Sequence, residues 1–208
     1  MNPKNMLAHP LVYSAYQKVI GASAATRWML RDHWQIKAGS RVLDFGCGPC
    51  STLCHLPDST EYLGVDIDPS YVEYARHVCR SYSGASFRCE SIFDIERDPA
   101  IGRFDVILAI GVFHHMDDAE AMRVLYVLAK LCRGPGSRLL CAEPCLLAHQ
   151  DRCSRFMIEH DRGAFPRTER AWGDLFSSAF SRVDGRIATG LYRIPFVSIL
   201  SECSHAKL

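Results

Sequence analysis

The chain has 208 residues, enough for a single domain with at most a small terminal appendage. Its formal net charge is +1 and its Lys and Arg residues are scattered, which argues against nucleic acid as the main partner. No apolar run approaches the roughly 20 residues of a membrane helix, and the first residues lack the apolar core of a secretory signal. We therefore expect a cytoplasmic protein with no membrane partner, in which the ten cysteines are mostly buried thiols.

The N-terminal segment has spaced apolar residues over positions 11–35, which predict one or two amphipathic helices. Ala38-Gly39-Ser40 then interrupts the pattern. We predict a helical lid over residues 1–37, with Tyr13, Tyr16 and Gln17 available to cover a ligand, and one compact domain over residues 38–208.

Short apolar runs alternate with helical stretches through the middle of the chain. Asp68 with Pro69 predicts one helix start, Asp117 or Asp118 predicts another, and Arg133-Gly134 is expected to close the second helix. This alternation predicts right-handed βαβ units and a mostly parallel sheet. The predicted strands are Arg41–Phe45, Tyr62–Ile67, Ser86–Cys89, Phe104–Ile110 and Arg138–Ala142.

The C-terminal part differs, because two apolar runs, Arg182–Ile187 and Tyr192–Leu200, are separated by only a short turn. Parallel neighbours need a dozen or more connecting residues, so these two strands should be antiparallel.

The most informative segment is Val42 to Cys50, in which an apolar strand ends in Asp44 and turns through Gly46 and Gly48. Glycines at such a turn let a ligand approach the main chain closely. About 20 residues later a second strand ends at Asp66, where a carboxylate can bind both ribose hydroxyls of an adenosine. Together the two features predict an adenosine site.

Five segments follow one another along the chain: Asp44-Phe45-Gly46-Cys47-Gly48, Asp66, Phe104–Leu108, Phe113–Met116 and Arg133–Gly136. In order and spacing they resemble successive signatures of the class I S-adenosylmethionine-dependent methyltransferases over roughly residues 40–145. The resemblance implies a Rossmann-like α/β fold with a seven-stranded, mostly parallel sheet, an antiparallel C-terminal strand and helices on both faces. It also implies methyl transfer from S-adenosyl-L-methionine.

The resemblance also implies a role for each matching position. The methionine part would contact Asp44, Gly46, Cys47 and Gly48, with Ile110 and Gly111 near the methyl group. The ribose would bind Asp66, and the adenine would lie against Ile67, Ser91 and Ile92. Two positions depart from the family pattern: Ser91 replaces a frequent Asp, and Cys50 a common third glycine.

Candidate catalytic and acceptor-binding residues follow the fourth and fifth predicted strands. His114 and His115 are the candidate bases, because imidazole accepts a proton near neutral pH. The acceptor would be a small molecule, and the C-terminal part resembles methyltransferases of polysaccharide or secondary-metabolite pathways. Arg162 and Arg167 could clamp an anionic group on it; the alternative interpretation is that Asp161 and Arg162 form a surface or inter-segment ion pair. The predicted acceptor-binding residues are Glu143, Gln150, Arg162 and Arg167.

Three alternatives compete with this interpretation. A nicotinamide-dependent dehydrogenase shares the turn and the ribose acid, but Ser51 only partly fits its third small position. A non-catalytic partner subunit would keep the cofactor site and lose the acceptor site. Cys47-x-x-Cys50-x-x-x-Cys54 has partial metal-ligand spacing, yet a metal there would compete with the cofactor, so no metal is expected.

Overall fold

The computed structural model describes residues 10–161 and 163–207, which form an α/β fold on one eight-stranded sheet. The strands are β1 (Arg41–Phe45), β2 (Glu61–Asp66), β3 (Ala85–Cys89), β4 (Val106–Ile110), β5 (Arg138–Leu146), β6 (Arg167–Thr168), β7 (Phe180–Ala188) and β8 (Ser198–Ala206). Their spatial order is β3-β2-β1-β4-β5-β8-β7, and the two-residue β6 pairs with β5.

The first five strands are mutually parallel, and β8 runs antiparallel between β5 and β7. The expected mostly parallel sheet with an antiparallel C-terminal strand is therefore confirmed. The position of the last strand was predicted wrongly, because it spans Ser198–Ala206 and not Tyr192–Leu200. Its position follows from pairing along the whole of β5, from Arg138 opposite Ser204 to Pro144 opposite Ser198.

Helices cover both faces of the sheet. The side chain of Asp68 caps the helix α3 (Pro69–Val78) with Pro69 at its first position, as predicted, and Asp117 rather than Asp118 caps the helix α5 (Asp118–Leu131). The predicted end of α5 at Gly134 was wrong, since the chain is already extended at Cys132, which forms a bridge with Phe104. The α-helices are α1 (Pro10–Ile20), α2 (Ala22–Arg27), α3 (Pro69–Val78), α4 (Ile92–Arg97), α5 (Asp118–Leu131), α6 (Arg152–Glu159) and α7 (Glu169–Ser177).

Two apolar cores lie on opposite faces of the sheet. One contains buried residues of α4, α5 and α7, and the other contains residues of α3 and of the π-helix Trp28–His33. Met29, Leu30 and Trp34 are almost fully buried in this second core. Part of the predicted lid thus packs on the sheet, while Tyr16 on α1 is 37% exposed. Within residues 10–161 and 163–207, no helix combines the length and apolar character that crossing a bilayer requires.

Candidate functional site

The candidate site lies at the carboxyl edge of β1, β2 and β4. These strands are parallel and in register, so the residues that follow Phe45, Asp66 and Ile110 meet at one edge of the sheet. Ligands bind at this edge in open α/β sheets, where the strand order reverses from β1 toward β4.

The glycine turn after β1 is tied to the end of β2. The amides of Gly46 and Cys47 both donate to the carbonyl of Val65, at 2.8 and 3.1 Å. Gly46 has φ +70°, a left-handed conformation in which glycine has no Cβ penalty. The side chain of Cys47 is buried, and burial raises the pKa of its thiol. Cys47 is therefore a buried neutral thiol and not a thiolate.

The structure brings Asp66 to the same turn. Its half-buried carboxylate accepts from the amide of Gly48 at 2.8 Å and from the amide of Asp68 at 2.9 Å. Each oxygen keeps a further lone pair for a hydroxyl group. The next residue, Ile67, is a large apolar side chain that is nevertheless 78% exposed. This geometry fits a ribose at Asp66 with a flat base against Ile67.

The remaining predicted cofactor residues lie around this pair with different exposures. The Ser91 hydroxyl caps α4 by accepting from the amide of Asp94. The side chain of Ile92 is buried. Ile110 is half-buried, and the amide of Gly111 donates to the carbonyl of Ala142 at 2.8 Å. Gly111 has a left-handed φ of +70°, which turns the chain away from β4.

Asp44 belongs to a buried polar network beneath the turn. Its Oδ2 accepts from the hydroxyls of Thr52 and Tyr62, and the residue is 2% exposed. Burial raises the pKa of Asp44 to about 6. The hydrogen bonds from Thr52 and Tyr62 lower this pKa, and the nearby charge of Asp66 raises it by a smaller amount. Neither Tyr62 nor Thr52 was predicted from the sequence as a site residue. Both bond the carboxylate of Asp44, and neither belongs to the glycine turn itself.

Asp44→Asn is expected to remove a pH-dependent loss of stability. Because the folded pKa of Asp44 lies above its unfolded value, the native state binds more protons between pH 3.8 and about 6. Wild-type stability from this group is therefore highest at low pH and falls as the pH rises through about 6, by on the order of 3 kcal/mol. Denaturant unfolding between pH 4 and 7 should show that the free energy of unfolding falls less in the variant than in the wild type. The same pH dependence in both proteins would contradict the buried network.

The turn after β4 is organised by Glu143 of β5. Its Oε1 accepts from the amides of Val112 and Phe113, both at 2.9 Å, and its Oε2 accepts from the amide of His114. Glu143 is 1% exposed. Its predicted contact with an acceptor does not fit this geometry, because the carboxylate is enclosed and its oxygens already serve the turn. Glu143 instead shapes the turn that follows β4.

The two candidate bases differ sharply in environment. His114 is 5% exposed, with Nδ1 2.7 Å from Glu143 and Nε2 3.0 Å from Asp161. Burial lowers the pKa of His114, but hydrogen bonds and charge from Asp161 and Glu143 outweigh it and raise the pKa to about 9. The imidazolium that results is a poor base at neutral pH. His115 is exposed, and its ring lies 4.2 Å from that of His114.

The predicted anion clamp is not formed by Arg167. Its guanidinium donates to the carbonyls of Phe113, Phe165 and Met116. It also forms an ion pair with Asp118 at 2.8 Å, and its Cζ atom lies 4.8 Å from the centre of the Trp172 ring. At 7% exposure, Arg167 fixes the turn after β4 and does not face an acceptor. Arg162, the other predicted clamp residue, lies outside the described residues.

Gln150 has a local role in the loop before α6. Its Oε1 accepts from the amide of Leu147 at 3.2 Å, and its Nε2 donates to Ser154 at 2.8 Å. No pattern in the sequence indicates this local pairing or the long-range contact between Asp161 and His114. In the described part of the chain, no group of three His, Cys, Asp or Glu residues is arranged to hold a metal, and all ten cysteines carry free thiols.

Comparison with known proteins agrees with this geometry. Residues 43–137 match a family model described as a methyltransferase domain. A ubiquinone biosynthesis O-methyltransferase from Rhodopseudomonas palustris is 31% identical over 88 residues, which are 40% of this chain and 33% of that protein. The curated relatives are matched over less than half of their own length.

Solved structures share the architecture at low sequence identity. N,N-8-amino-8-demethyl-D-riboflavin dimethyltransferase from Streptomyces davawensis superposes with a TM-score of 0.69 at 21% identity, over 97% of this chain and 61% of that one. YcgJ from Bacillus subtilis superposes with a TM-score of 0.66 at 14% identity, over 88% of this chain and 99% of that one. The resemblance read from the sequence is confirmed at this level: residues 43–137 match the methyltransferase-domain model, and the chain has the class I methyltransferase fold of these solved structures.

Proposed function

We propose that the chain binds S-adenosyl-L-methionine at the carboxyl edge of β1, β2 and β4 and transfers its methyl group to a small-molecule acceptor. The observation that carries the proposal is the junction of Asp66 with the glycine turn, where its carboxylate bonds the amide of Gly48 beside the exposed Ile67. The ten free thiols suit a reducing compartment, so we place the protein in the cytoplasm.

The chain's own residues would hold the cofactor in three groups. Asp66 would accept both ribose hydroxyls, and Ile67, Ser91 and Ile92 would border the adenine. The methionine part would follow the main chain of Gly46, Cys47 and Gly48, with Ile110 and Gly111 on its other side. Asp44 would support this turn from beneath through Thr52 and Tyr62.

The cofactor supplies a methyl group on a sulfonium, so the chain mainly has to position the acceptor. His115 is the better of the two candidate bases, since its ring is exposed at the turn after β4. There it would take the proton of an acceptor hydroxyl or amine. His114, held between two carboxylates, suits a supporting role instead.

We propose a small-molecule acceptor because the proteins that this chain resembles include enzymes named for small-molecule substrates. The Rhodopseudomonas relative is named for ubiquinone biosynthesis, and the Streptomyces enzyme methylates a riboflavin derivative. Phe165, 41% exposed beside the turn after β4, offers an apolar wall for such a compound. A saccharide or secondary-metabolite intermediate fits the same proposal. The alternatives are a non-catalytic cofactor-binding subunit and a nicotinamide-dependent dehydrogenase.

Calorimetric titration with S-adenosylmethionine, S-adenosylhomocysteine and NAD tests the cofactor. We expect the two adenosyl compounds to bind, and Asp66→Ala to weaken both by about 10- to 100-fold, because hydrogen bonds to a charged group are lost. Asp184→Ala, an exposed acid on the distant strand β7, is the matched control and should leave the affinity unchanged. Binding of NAD alone would refute the proposal, and cofactor binding without turnover of any acceptor would favour the partner subunit.

A further inference from the structure

His114 connects three parts of the chain that are distant in sequence. Its backbone belongs to the 3-10 helix Phe113–His115 after β4, its Nδ1 contacts Glu143 of β5, and its Nε2 contacts Asp161 after α6. Glu143 is enclosed, whereas the side chain of Asp161 is 35% exposed. The imidazole therefore joins the sheet to the chain that follows α6.

The chain after Asp161 is held to the same residue by two further contacts. The amide of Phe165 donates to the carbonyl of His114 at 2.9 Å. Gly163 lies directly against the imidazole ring, since a Cβ at that position would overlap the Cδ2 atom of His114. We call Asp161 together with residues 163–167 the acceptor-side segment. His114 thus contacts it through ring, side-chain nitrogen and backbone.

We propose that His114 is a positioning residue, which holds the acceptor-side segment against the turn after β4 as an imidazolium clamped between Glu143 and Asp161. The exposed Phe165 is thereby held to the backbone of His114, the residue that precedes the exposed His115, and so forms one wall of the acceptor site. The role in acceptor binding rests on the proposed function, whereas the clamp itself does not. The inference assigns different tasks to the two neighbouring histidines.

The charges around His114 favour a protonated, cationic imidazole ring. The groups that face it are the carboxylates of Glu143 and Asp161 and the ring of His115. The nearby guanidinium of Arg167 bonds the carbonyl of Phe113 and pairs with Asp118. With two carboxylates on its two ring nitrogens, the ring donates at both positions only when it is protonated.

Gly163→Ala tests the close packing without straining the backbone, because Gly163 has no left-handed φ. The added methyl group should separate the acceptor-side segment from the ring, so the Phe165 amide should exchange its hydrogen about tenfold faster or more. Gly173→Ala is the matched control, since a Cβ there meets no atom within 4 Å. The affinity for S-adenosylhomocysteine should stay within about twofold in both variants, because Gly163 lies on the acceptor side.

Asp161→Asn tests the charge. We expect the pKa of His114, followed by NMR of the imidazole, to fall below the wild-type value of about 9. Protection of the Phe165 amide, corrected for the intrinsic pH effect, should be lost at a lower pH than in the wild type. Unchanged Phe165 exchange in Gly163→Ala together with an unchanged His114 titration in Asp161→Asn would overturn the inference. Because neither readout needs an acceptor or a cofactor, failure of the clamp is distinguishable from failure of the proposed function.

Discussion

Gly46→Ala is expected to destabilise the protein by roughly 2–5 kcal/mol and to weaken S-adenosylhomocysteine binding more than any other change in the glycine turn. Two costs combine at this position. A left-handed φ of +70° costs an alanine roughly 1–2 kcal/mol. The new Cβ would also lie 2.6 Å from Cγ2 of Val112, and overpacking typically costs about 1–3 kcal/mol.

The overlap also gives this substitution a specific rescue. Val112→Ala removes the atom that the new Cβ meets, so the double variant should recover the overpacking cost and keep only the backbone strain. Gly48→Ala is the matched control, because its φ is +52° but a Cβ there has open space. Denaturant unfolding of the four variants measures the coupling. Equal losses at Gly46 and Gly48, without coupling to Val112, would show that the overlap is not the cause.

The contact between Gly46 and Val112 has a functional consequence, because it packs the glycine turn against the turn after β4. Val112 in turn donates its amide to Glu143. The cofactor side and the acceptor side of the proposed site therefore share one packed junction. A change that moves either turn is expected to affect both ligands.

The parts of the fold that the sequence predicted well are those with a local signal. The strand β1 is predicted with its observed bounds, and β2 within one residue at each end, because each is a short apolar run between turn residues. The cap at Asp68 is equally predictable from the sequence, since Asp suits the capping position and Pro suits the first helical position. Asp66 and the glycine turn were placed together because parallel strands end at one edge.

The remaining features depend on contacts between residues far apart in the chain. His114 and Glu143 are 29 residues apart, and no local pattern pairs them. Arg167 looked like a ligand clamp, but it reaches carbonyls about 50 residues earlier and uses its donors there. The last strand was placed too early, because Tyr192 to Leu200 is apolar, whereas pairing with β5 sets the strand at Ser198–Ala206. Tertiary pairing decided each of these cases.

Glu143→Ala should be the most destabilising change around the turn after β4, by about 3–5 kcal/mol, because it leaves three backbone amides and Nδ1 of the buried imidazolium without their acceptor. Glu73→Ala, an exposed acid on α3, is the control and should stay within roughly 0.5 kcal/mol of the wild type.

The pH dependence of stability distinguishes a charged pair from a neutral hydrogen bond at Glu143. The folded pKa of His114 is raised to about 9 from 6.5, so its contribution is fully present below pH 6.5 and is lost as the pH rises through about 9. That loss is on the order of 3 kcal/mol in the wild type. In Glu143→Gln the amide can donate to a neutral ring, so stability between pH 6.5 and 9 should become nearly flat, although it is lower throughout. A variant that keeps the wild-type slope would show that Asp161 alone keeps His114 charged, and that Glu143 serves only the backbone amides.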